Sequence, residues 1–390
     1  MALFAARDPD RPRYRTRFMR AGVVYVFAIA VMGIASGARP NNLIIWVFSA
    51  MIAALLVSGF LSGFMMTPLR ATRIEPRRGR VGEPLLIRYE LSNRSRFIPS
   101  YDLAVTESVD TKMLEPAGQA WALHVGPGDT VHAEAVFRPL RRGAAQLRSF
   151  EVASTFPFGL LRKIVRITAR GEVLIHPEIL PIRADLLARV TSGEFGGQRL
   201  SQKGGGNDDF FGVREYRSGD SIRSVAWKRL AGTGQIATIE RGRAVPPRVR
   251  VLLDLRTPTA SLRTAPGEDA RTLEERAIVL AASTIALADR LGYEYALSVA
   301  LRKGHFHREK IMSLLAAIDR DQPRVPGTGL SASDERASLV CVHPDRADTA
   351  IAPDSAWHFT ARQIDTLVDA AAATGAATAA AAPSAAGGAA

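Results

Sequence analysis

Cysteine is almost absent from this sequence. Its 390 residues include a single cysteine, Cys341, so no disulfide can form within the chain. Small secreted scaffolds that depend on disulfides are therefore excluded, and the composition fits a reducing compartment. Cys341 lies in the apolar run from Ala337 to Val342, which predicts a small buried side chain rather than a reactive thiol.

Two stretches near the N-terminus lack charged residues altogether. They run from Ala21 to Ala38 and from Leu43 to Met66, and neither contains Asp, Glu, Lys or Arg. Because roughly 20 helical residues cross a hydrocarbon core of about 30 Å, both runs predict transmembrane helices, the first near the minimum length. A secretory signal peptide would be followed by polar sequence rather than by a second apolar run. We therefore expect residues 21–66 to form two transmembrane helices.

The turn between these two runs has little positive charge, whereas the outer ends of the hairpin are rich in arginine. Only Arg39 lies in the short turn. The arginines on the outer sides are Arg7, Arg11, Arg13, Arg15, Arg17 and Arg20 before the hairpin, and Arg70, Arg73, Arg77, Arg78 and Arg80 after it. The positive-inside rule predicts a plasma (inner) membrane protein with both termini cytoplasmic, beginning with a basic segment at 1–20. We also expect these arginines to contact anionic lipid head groups.

Acidic residues are too few to balance the basic ones. The chain has 51 Lys and Arg against 38 Asp and Glu, a net charge of +13. The arginines that flank the hairpin supply most of this excess, so the overall charge argues only weakly for a nucleic-acid partner. The lipid bilayer is the partner that the charge pattern indicates first.

Sustained helical periodicity is missing from residues 70–181. Short β-like runs follow one another instead, separated by turns rich in glycine and proline such as Gly126-Pro127-Gly128 and Pro157-Phe158-Gly159. The first runs from Leu85 to Leu91. The later ones are Asp102–Glu107, Val131–Phe137, Leu147–Ala153 and Leu160–Ile167. This spacing predicts a β-sandwich of immunoglobulin-like type.

A different pattern begins at residue 247. A continuous apolar strand from Val249 to Leu255 precedes a helical stripe from Thr272 to Leu291, and the run from Tyr293 to Leu301 follows as another strand. Alternating buried strands and amphipathic helices predict a parallel, Rossmann-like α/β domain over 247–369. The fold of 320–369 cannot be read from the pattern. Only Ala, Gly, Thr, Ser and Pro occur in 370–390, which predicts a disordered tail.

Residues 182–246 connect these two parts, and their second half is dense in charge. Its first half is loop-like. We expect a strand from Phe210 to Tyr216, a helix from Ser221 to Leu230 with Asp220 as N-cap, and a strand from Gln235 to Glu240. Two interpretations stay open. The interleaved charges either form an internal ion-pair and capping network in a β-helix-β unit, or form a recognition surface for an acidic partner or nucleotide.

Metal and catalytic motifs are scarce. Asp254 follows the first α/β strand, where open sheets bind ligands, but an Asp-x-Ser-x-Ser cation site would need serines where Arg256 and Pro258 stand. Asp254 is thus only a weak metal candidate. His305 and His307 lack a third ligand, which favours a surface loop. The glycines at 204–206 are not followed by the Lys-Ser/Thr of a P-loop.

With Arg214-Glu215-Tyr216, Gly219-Asp220, Arg223 and Trp227 in this order, the dense segment resembles a bacterial family known as domain of unknown function 58. The likeness rests on an Arg-x-Tyr strand, a Gly-Asp step, and the Arg and Trp that follow. In this chain these residues are Arg214, Tyr216, Gly219, Asp220, Arg223 and Trp227, followed by the basic Lys228. Similar pieces occur in the same order at Asn93, Arg142-Gly143, 155–160 and 176–178, so the resemblance covers most of residues 20–300.

This resemblance implies a von Willebrand factor A-like domain over 247–369. It also implies a function as a membrane scaffold or adaptor that works with a MoxR-type AAA+ ATPase and other membrane proteins, without catalysis or a cofactor. The partner-binding residues would be the seven of the motif, from Arg214 to Lys228. The alternatives are a Mg-dependent hydrolase of phosphate esters using Asp254, Asp208 or Asp209, and nucleic-acid binding through the basic helix. The oligomeric state and the cellular process cannot be inferred.

Overall fold

The computed structural model describes residues 13–38, 41–192, 200–201, 209–244, 247–257, 259–299, 302–304, 308–318, 337–348, 351 and 356–369. The chain divides into two compact units. The first comprises Met1–Glu178 with Met312–Ile318, and the second comprises Ile179–Ile311 with Asp319–Ala390. The predicted loop at His305 to His307 and the predicted tail at 370–390 lie outside the described residues.

Two long apolar helices occupy the N-terminal part of the first unit. A strand, β1 (Arg13–Phe18), precedes them, and they are α1 (Arg20–Ala38) and α2 (Asn42–Met66). The Asn41 side chain accepts a hydrogen bond of 2.9 Å from the backbone N–H of Leu43 and so caps the start of α2. Both helices are long and apolar enough to cross a membrane, which confirms the two apolar helices predicted from the sequence.

Nine strands follow in the first unit and are mostly antiparallel. They are β2 (Leu69–Ile74), β3 (Arg78–Arg80), β4 (Leu85–Asn93), β5 (Ser100–Glu107), β6 (Leu114–Gly118), β7 (Ala120–Val125), β8 (Thr130–Pro139), β9 (Gly143–Ser154) and β10 (Leu161–His176). One sheet has the order β1-β10-β9-β5-β7, with β3 parallel to β10, and the other has the order β2-β4-β8-β6. We call residues 69–176 the two-sheet domain.

The two sheets share one hydrophobic core. Along β4, alternate residues are buried, so Ile87, Tyr89 and Leu91 join the same cluster as Phe150 of β9 and Leu103 of β5. This period of two is what a strand with one face on a core requires. The predicted strands are therefore confirmed as elements of antiparallel sheets, and the immunoglobulin-like type stays a prediction.

The strand β1 was not predicted. It pairs antiparallel with β10, from Arg13 opposite Arg166 to Phe18 opposite Leu161. Its arginines alternate with Tyr14 and Thr16 and all its side chains are exposed. The basic N-terminal segment is thus a sheet edge over residues 13–18.

The second unit contains a mainly parallel sheet covered by a long helix. The elements of this unit are α3 (Ala184–Ser192), β11 (Leu200–Ser201), β12 (Asp209–Glu215), α4 (Trp227–Thr233), β13 (Ala237–Ala244), β14 (Arg248–Leu253), α5 (Ala270–Arg290), β15 (Glu294–Val299), β16 (Arg302–Gly304), α6 (Arg308–Ala317), β17 (Ser338–His343), β18 (Trp357–Thr360) and α7 (Ile364–Leu367). The order of the sheet is β16-β15-β14-β17-β18, in which only the edge strand β16 is antiparallel. The boundary between the two units falls within α6.

The helix α5 shows why the α/β pattern was readable from the sequence. Asp269 caps its first turn by accepting from the N–H of Arg271, and Gly292 takes a positive φ of 71° just beyond its end, where a residue with a side chain would be strained. Its apolar residues, among them Leu273, Ala277 and Leu280, are buried. The predicted parallel α/β sheet is confirmed, whereas its likeness to a von Willebrand factor A domain is not tested by these features.

Candidate functional site

The segment that carries the sequence motif folds as a hairpin with an insertion. We call residues 209–244 the signature unit. The strands β12 and β13 pair antiparallel, with Arg214 opposite Thr238. Between them lie a tight turn, a single 3-10 turn (Ile222–Ser224) and α4. The turn needs Gly219, whose φ is +108°, because residues with a Cβ rarely adopt that conformation.

The predicted helix from Ser221 to Leu230 is wrong. Val225 is extended and forms an isolated bridge with Thr238 of β13, so the chain leaves helical geometry halfway through the predicted span. The helix begins at Trp227 and ends at Thr233. Gly234 follows in the left-handed conformation. Pairing with a neighbouring strand therefore outweighs the local helical pattern.

Asp220 is not a helix N-cap either. Its carboxylate accepts two hydrogen bonds of 2.8 Å from the Arg214 guanidinium and one of 2.9 Å from the backbone N–H of Arg217. The Thr238 hydroxyl donates a further bond of 3.2 Å. These contacts, those of Arg214 foremost, hold the pKa of Asp220 well below its ordinary value. The Tyr216 hydroxyl donates to the carbonyl of Asp220 at 3.4 Å.

The seven motif residues therefore divide into two groups. Arg214, Tyr216, Gly219 and Asp220 build the turn and its ion-pair network, which agrees with the first of the two interpretations drawn from the sequence. The other three, Arg223, Trp227 and Lys228, are exposed. They lie on the hairpin that the ion pair of Arg214 and Asp220 stabilises, and their side chains are exposed to solvent.

The exposed group combines apolar area with positive charge. Trp227 is 59% exposed, and two further apolar side chains of the unit, Ile222 and Ile236, are 69% and 52% exposed. Arg223, Lys228 and Arg229 are exposed beside them in the sequence. The signature unit thus exposes three large apolar side chains and three cations.

Asp254, the weak metal candidate, lies after the C-terminal end of β14 as predicted. Its carboxylate accepts hydrogen bonds from Arg256 Nε at 2.9 Å and Nη2 at 3.1 Å, and the same guanidinium contacts Asp348 at 2.5 Å. His343 Nδ1 lies 3.1 Å from Asp254 Oδ2, the oxygen that also accepts from Arg256 Nη2. Burial alone would raise the pKa of Asp254, but the bonds from His343 and Arg256 outweigh it and hold that pKa well below its ordinary value.

A guanidinium thus neutralises the carboxylate that a cation would need. Arg256 is a permanent positive charge next to two carboxylates, and a second cation at the same place would be repelled. Within the described ranges no group of three or more His, Cys, Asp or Glu residues could hold a metal ion. Asp208, and the side chain of Asp209, lie outside what the structure describes.

Two histidines at this sheet edge were not predicted from the sequence. His343 ends β17, and its Nε2 lies 3.0 Å from Nδ1 of His358 in β18. Burial, and then the neighbouring His343, lower the pKa of His358. The only available signal was that both follow apolar residues near strand ends, and β18 itself could not be read from the sequence. The convergence of Asp254, His343 and His358 is set by the parallel pairing of three strands.

No family model matches the chain, and no curated protein matches it. The solved structures that it resembles include trypsin-activated alpha-2-macroglobulin from Escherichia coli, with 15% identity over 30% of this chain and 9% of that one and a TM-score of 0.22. Another is the CARDB domain of a Pyrococcus furiosus protein, with 10% identity over 28% of this chain and 94% of that one and a TM-score of 0.19. Both are likenesses of a part only and assign neither a family nor a function.

Proposed function

We propose that this chain is a membrane-anchored interaction protein whose signature unit binds a protein partner in the cytoplasm. The observation that carries the proposal is the exposure of Trp227, 59% of whose surface is accessible on a hairpin braced by Arg214 and Asp220. A large aromatic side chain held on a rigid support loses little conformational freedom when it is buried by a partner. Tryptophan is accordingly enriched among the residues that dominate binding energy.

The partner is an acidic protein surface. The cations next to Trp227 in the sequence, Arg223, Lys228 and Arg229, are all exposed and would speed association with negative charge. The resemblance of the motif to domain of unknown function 58 supports a more specific choice, a MoxR-type AAA+ ATPase. The same resemblance supports a von Willebrand factor A-like role for the parallel sheet and an assembly with other membrane proteins.

The two apolar helices are the anchor in this proposal. Their length and composition suit a membrane, and large apolar side chains such as Phe27, Trp46 and Phe60 are exposed on them, as contact with lipid would require. Both ends of the hairpin would face the cytoplasm. Arg20 at the start of α1 and Arg70 after α2 are exposed and support that orientation.

The geometry around Asp254 favours an interaction protein over a Mg-dependent hydrolase of phosphate esters. A hydrolase would need a carboxylate open to the metal and to substrate. Here the Asp254 side chain is 7% exposed and paired with Arg256 and His343. In this proposal Asp254, Arg256 and His343 have a structural role at the edge of the sheet.

The test is binding of a purified MoxR-type ATPase to the full chain in detergent, with ATP or ADP present. We expect the wild type to bind and the Trp227→Ala variant to bind at least about tenfold more weakly, the loss that about 1.4 kcal/mol produces. Trp121→Ala is the matched control, since Trp121 is 54% exposed but lies on β7 of the other unit. Equal binding by wild type and Trp227→Ala, or no binding with either nucleotide, would contradict the proposal.

A further inference from the structure

One end of the two-sheet domain meets the two apolar helices directly. We call the loops 94–99 and 155–160 the helix-proximal end. The backbone N–H of Arg94 donates to the carbonyl of Pro68 at 3.2 Å, and the buried Ser100 hydroxyl donates to the carbonyl of Met65 at 3.0 Å. The first loop therefore lies beside the last residues of α2.

The end of the second loop and the start of β10 lie against the two helices. The backbone N–H of Met19 donates to the carbonyl of Leu160 at 3.0 Å, and a Cβ added to Gly22 of α1 would lie only 2.1 Å from that same oxygen. On the other side, Leu161 Cδ1 would lie 3.7 Å from a Cβ on Gly59 of α2. The last residue of the β9–β10 connection and the first residue of β10 therefore lie at the level of Gly22 and Gly59.

That level falls inside the span that a bilayer would cover. From Gly22 to the end of α1 at Ala38 the rise is about 24 Å, and from Asn42 to Gly59 it is about 26 Å. The hydrocarbon core measures about 30 Å. With the outer turn of the hairpin at one boundary of that core, Leu160 and Leu161 lie about 4–6 Å inside the other boundary, next to the interfacial layer.

The side chains exposed at this end suit that layer. Phe97 in the first loop is 86% exposed and Phe158 in the second is 55% exposed. Arg94 and Arg96 are exposed in the first loop. The boundary between acyl chains and anionic head groups accommodates exposed phenylalanines next to arginines. The rings can lie among the acyl chains while the guanidinium groups reach the phosphates a few ångströms away.

We propose that the helix-proximal end is itself a lipid-binding surface. Phe97 and Phe158 insert at the acyl boundary of the bilayer, and Arg94 and Arg96 contact the phosphates of anionic phospholipids. The proposal rests on the membrane anchoring that forms part of the proposed function. It adds that the two-sheet domain is seated on the membrane rather than held away from it by a linker.

The test places a fluorescent label at single positions of the full chain. Phe97→Cys and Phe158→Cys variants are labelled with an environment-sensitive dye and reconstituted into vesicles of phosphatidylcholine and phosphatidylglycerol. The native Cys341 is fully buried, and burial raises the pKa of its thiol to about 12, so it stays unlabelled under native conditions. Lipids that carry a nitroxide near the head group report contact by quenching.

Two further variants serve as controls at similar exposure. Leu86→Cys replaces a side chain that is 52% exposed on β4, about 23 Å along the strand from Asn93 at the helix-proximal end. Val57→Cys replaces a side chain that is 51% exposed on α2. All four positions are exposed, so the substitutions leave the core unchanged.

We expect several-fold stronger quenching at 97 and 158 than at 86. We also expect quenching at 57 by a nitroxide part-way down the acyl chain, since Val57 lies about 22 Å along α2 from Asn42 and so inside the hydrocarbon core. The Arg94→Gln/Arg96→Gln variant should reduce the quenching at 97 in vesicles with phosphatidylglycerol. If 97 and 158 behave like 86 while 57 is quenched, the lipid-binding surface is refuted and the anchor stands. If 57 is not quenched either, the anchor itself is refuted.

Discussion

Arg73 offers the sharpest test of how the two-sheet domain is held together. Its side chain is 1% exposed and donates hydrogen bonds of 2.8 Å to Glu107 and 2.7 Å to Glu75. It also donates to the carbonyl of Ala169 at 2.7 Å. Glu107 is fully buried and accepts a further bond of 2.9 Å from the Tyr89 hydroxyl. The guanidinium thus compensates a carboxylate that has no access to water.

Replacing Arg73 with Met should destabilise the domain strongly. Removing one partner of a buried ion pair costs about 3–5 kcal/mol, since the other charge is left uncompensated. Burial already raises the pKa of Glu107, and Arg73 opposes that rise. Without the arginine the pKa of Glu107 should lie higher still.

The pH dependence follows from the direction of that shift. A carboxyl whose pKa is raised on folding stabilises the protein when it is protonated, and that contribution is lost as the pH rises through the folded-state pKa. The loss of unfolding free energy caused by Arg73→Met should therefore become smaller as the pH falls from about 8 to about 5. In the wild type the same change of pH should have a smaller effect.

The assay is thermal unfolding of the purified full chain in detergent at several pH values. The Arg73→Met/Glu107→Met variant should recover much of the loss, because replacing both partners of a buried pair is often nearly neutral. Arg88→Met is the surface control. Arg88 and Glu134 form an exposed pair that contributes about 0–1 kcal/mol. A deficit that does not change with pH, or one no larger than that of Arg88→Met, would refute the reasoning.

Two other substitutions test contacts within the same unit. Gly22→Ala should lower the melting temperature, because its Cβ would clash with the backbone oxygen of Leu160 at 2.1 Å. The control Gly37→Ala, with nothing within 4 Å of its Cβ, should be neutral or stabilising by up to about 1 kcal/mol. Equal melting temperatures of the two variants would refute the packing of Gly22 against Leu160. Arg142→Met should speed amide hydrogen exchange over 312–318, since the buried Arg142 donates to the carbonyl of Leu315 at 2.7 Å. Unchanged exchange there would show that this hydrogen bond does not stabilise residues 312–318.

The fold was largely predictable where one local period dominates. The two apolar runs form helices within a residue or so of the predicted bounds, and the run from Leu85 to Leu91 forms β4. Each of these runs keeps one hydrophobic pattern along its whole length. The strand β1 was not predictable in this way. Its sequence alternates arginine with polar and aromatic residues, and its partner β10 lies far along the chain.

The candidate site was predictable in composition but not in geometry. The motif identified Arg214, Asp220 and Trp227, yet only the hairpin register brings Thr238 to the Asp220 carboxylate and forces Val225 out of a helix. An Asp before a helical pattern predicts an N-cap. The guanidinium of an arginine six residues earlier binds the same carboxylate more strongly than the backbone N–H groups at a helix start would. At the sheet edge, His343 and His358 meet Asp254 only through strand pairing.

The arginines after the hairpin now separate into different roles. The side chain of Arg73 is buried, so it is not available to lipid head groups as the sequence had led us to expect. Arg80 forms an ion pair with Glu83, and Arg70 is exposed. The positive-inside rule concerns the chain as it inserts, before its domains have folded. All these arginines count at that stage against the single Arg39 in the turn. Replacing Arg73 with Met should therefore reduce stability without reversing the orientation, which protease accessibility of the C-terminal part in inside-out vesicles would establish.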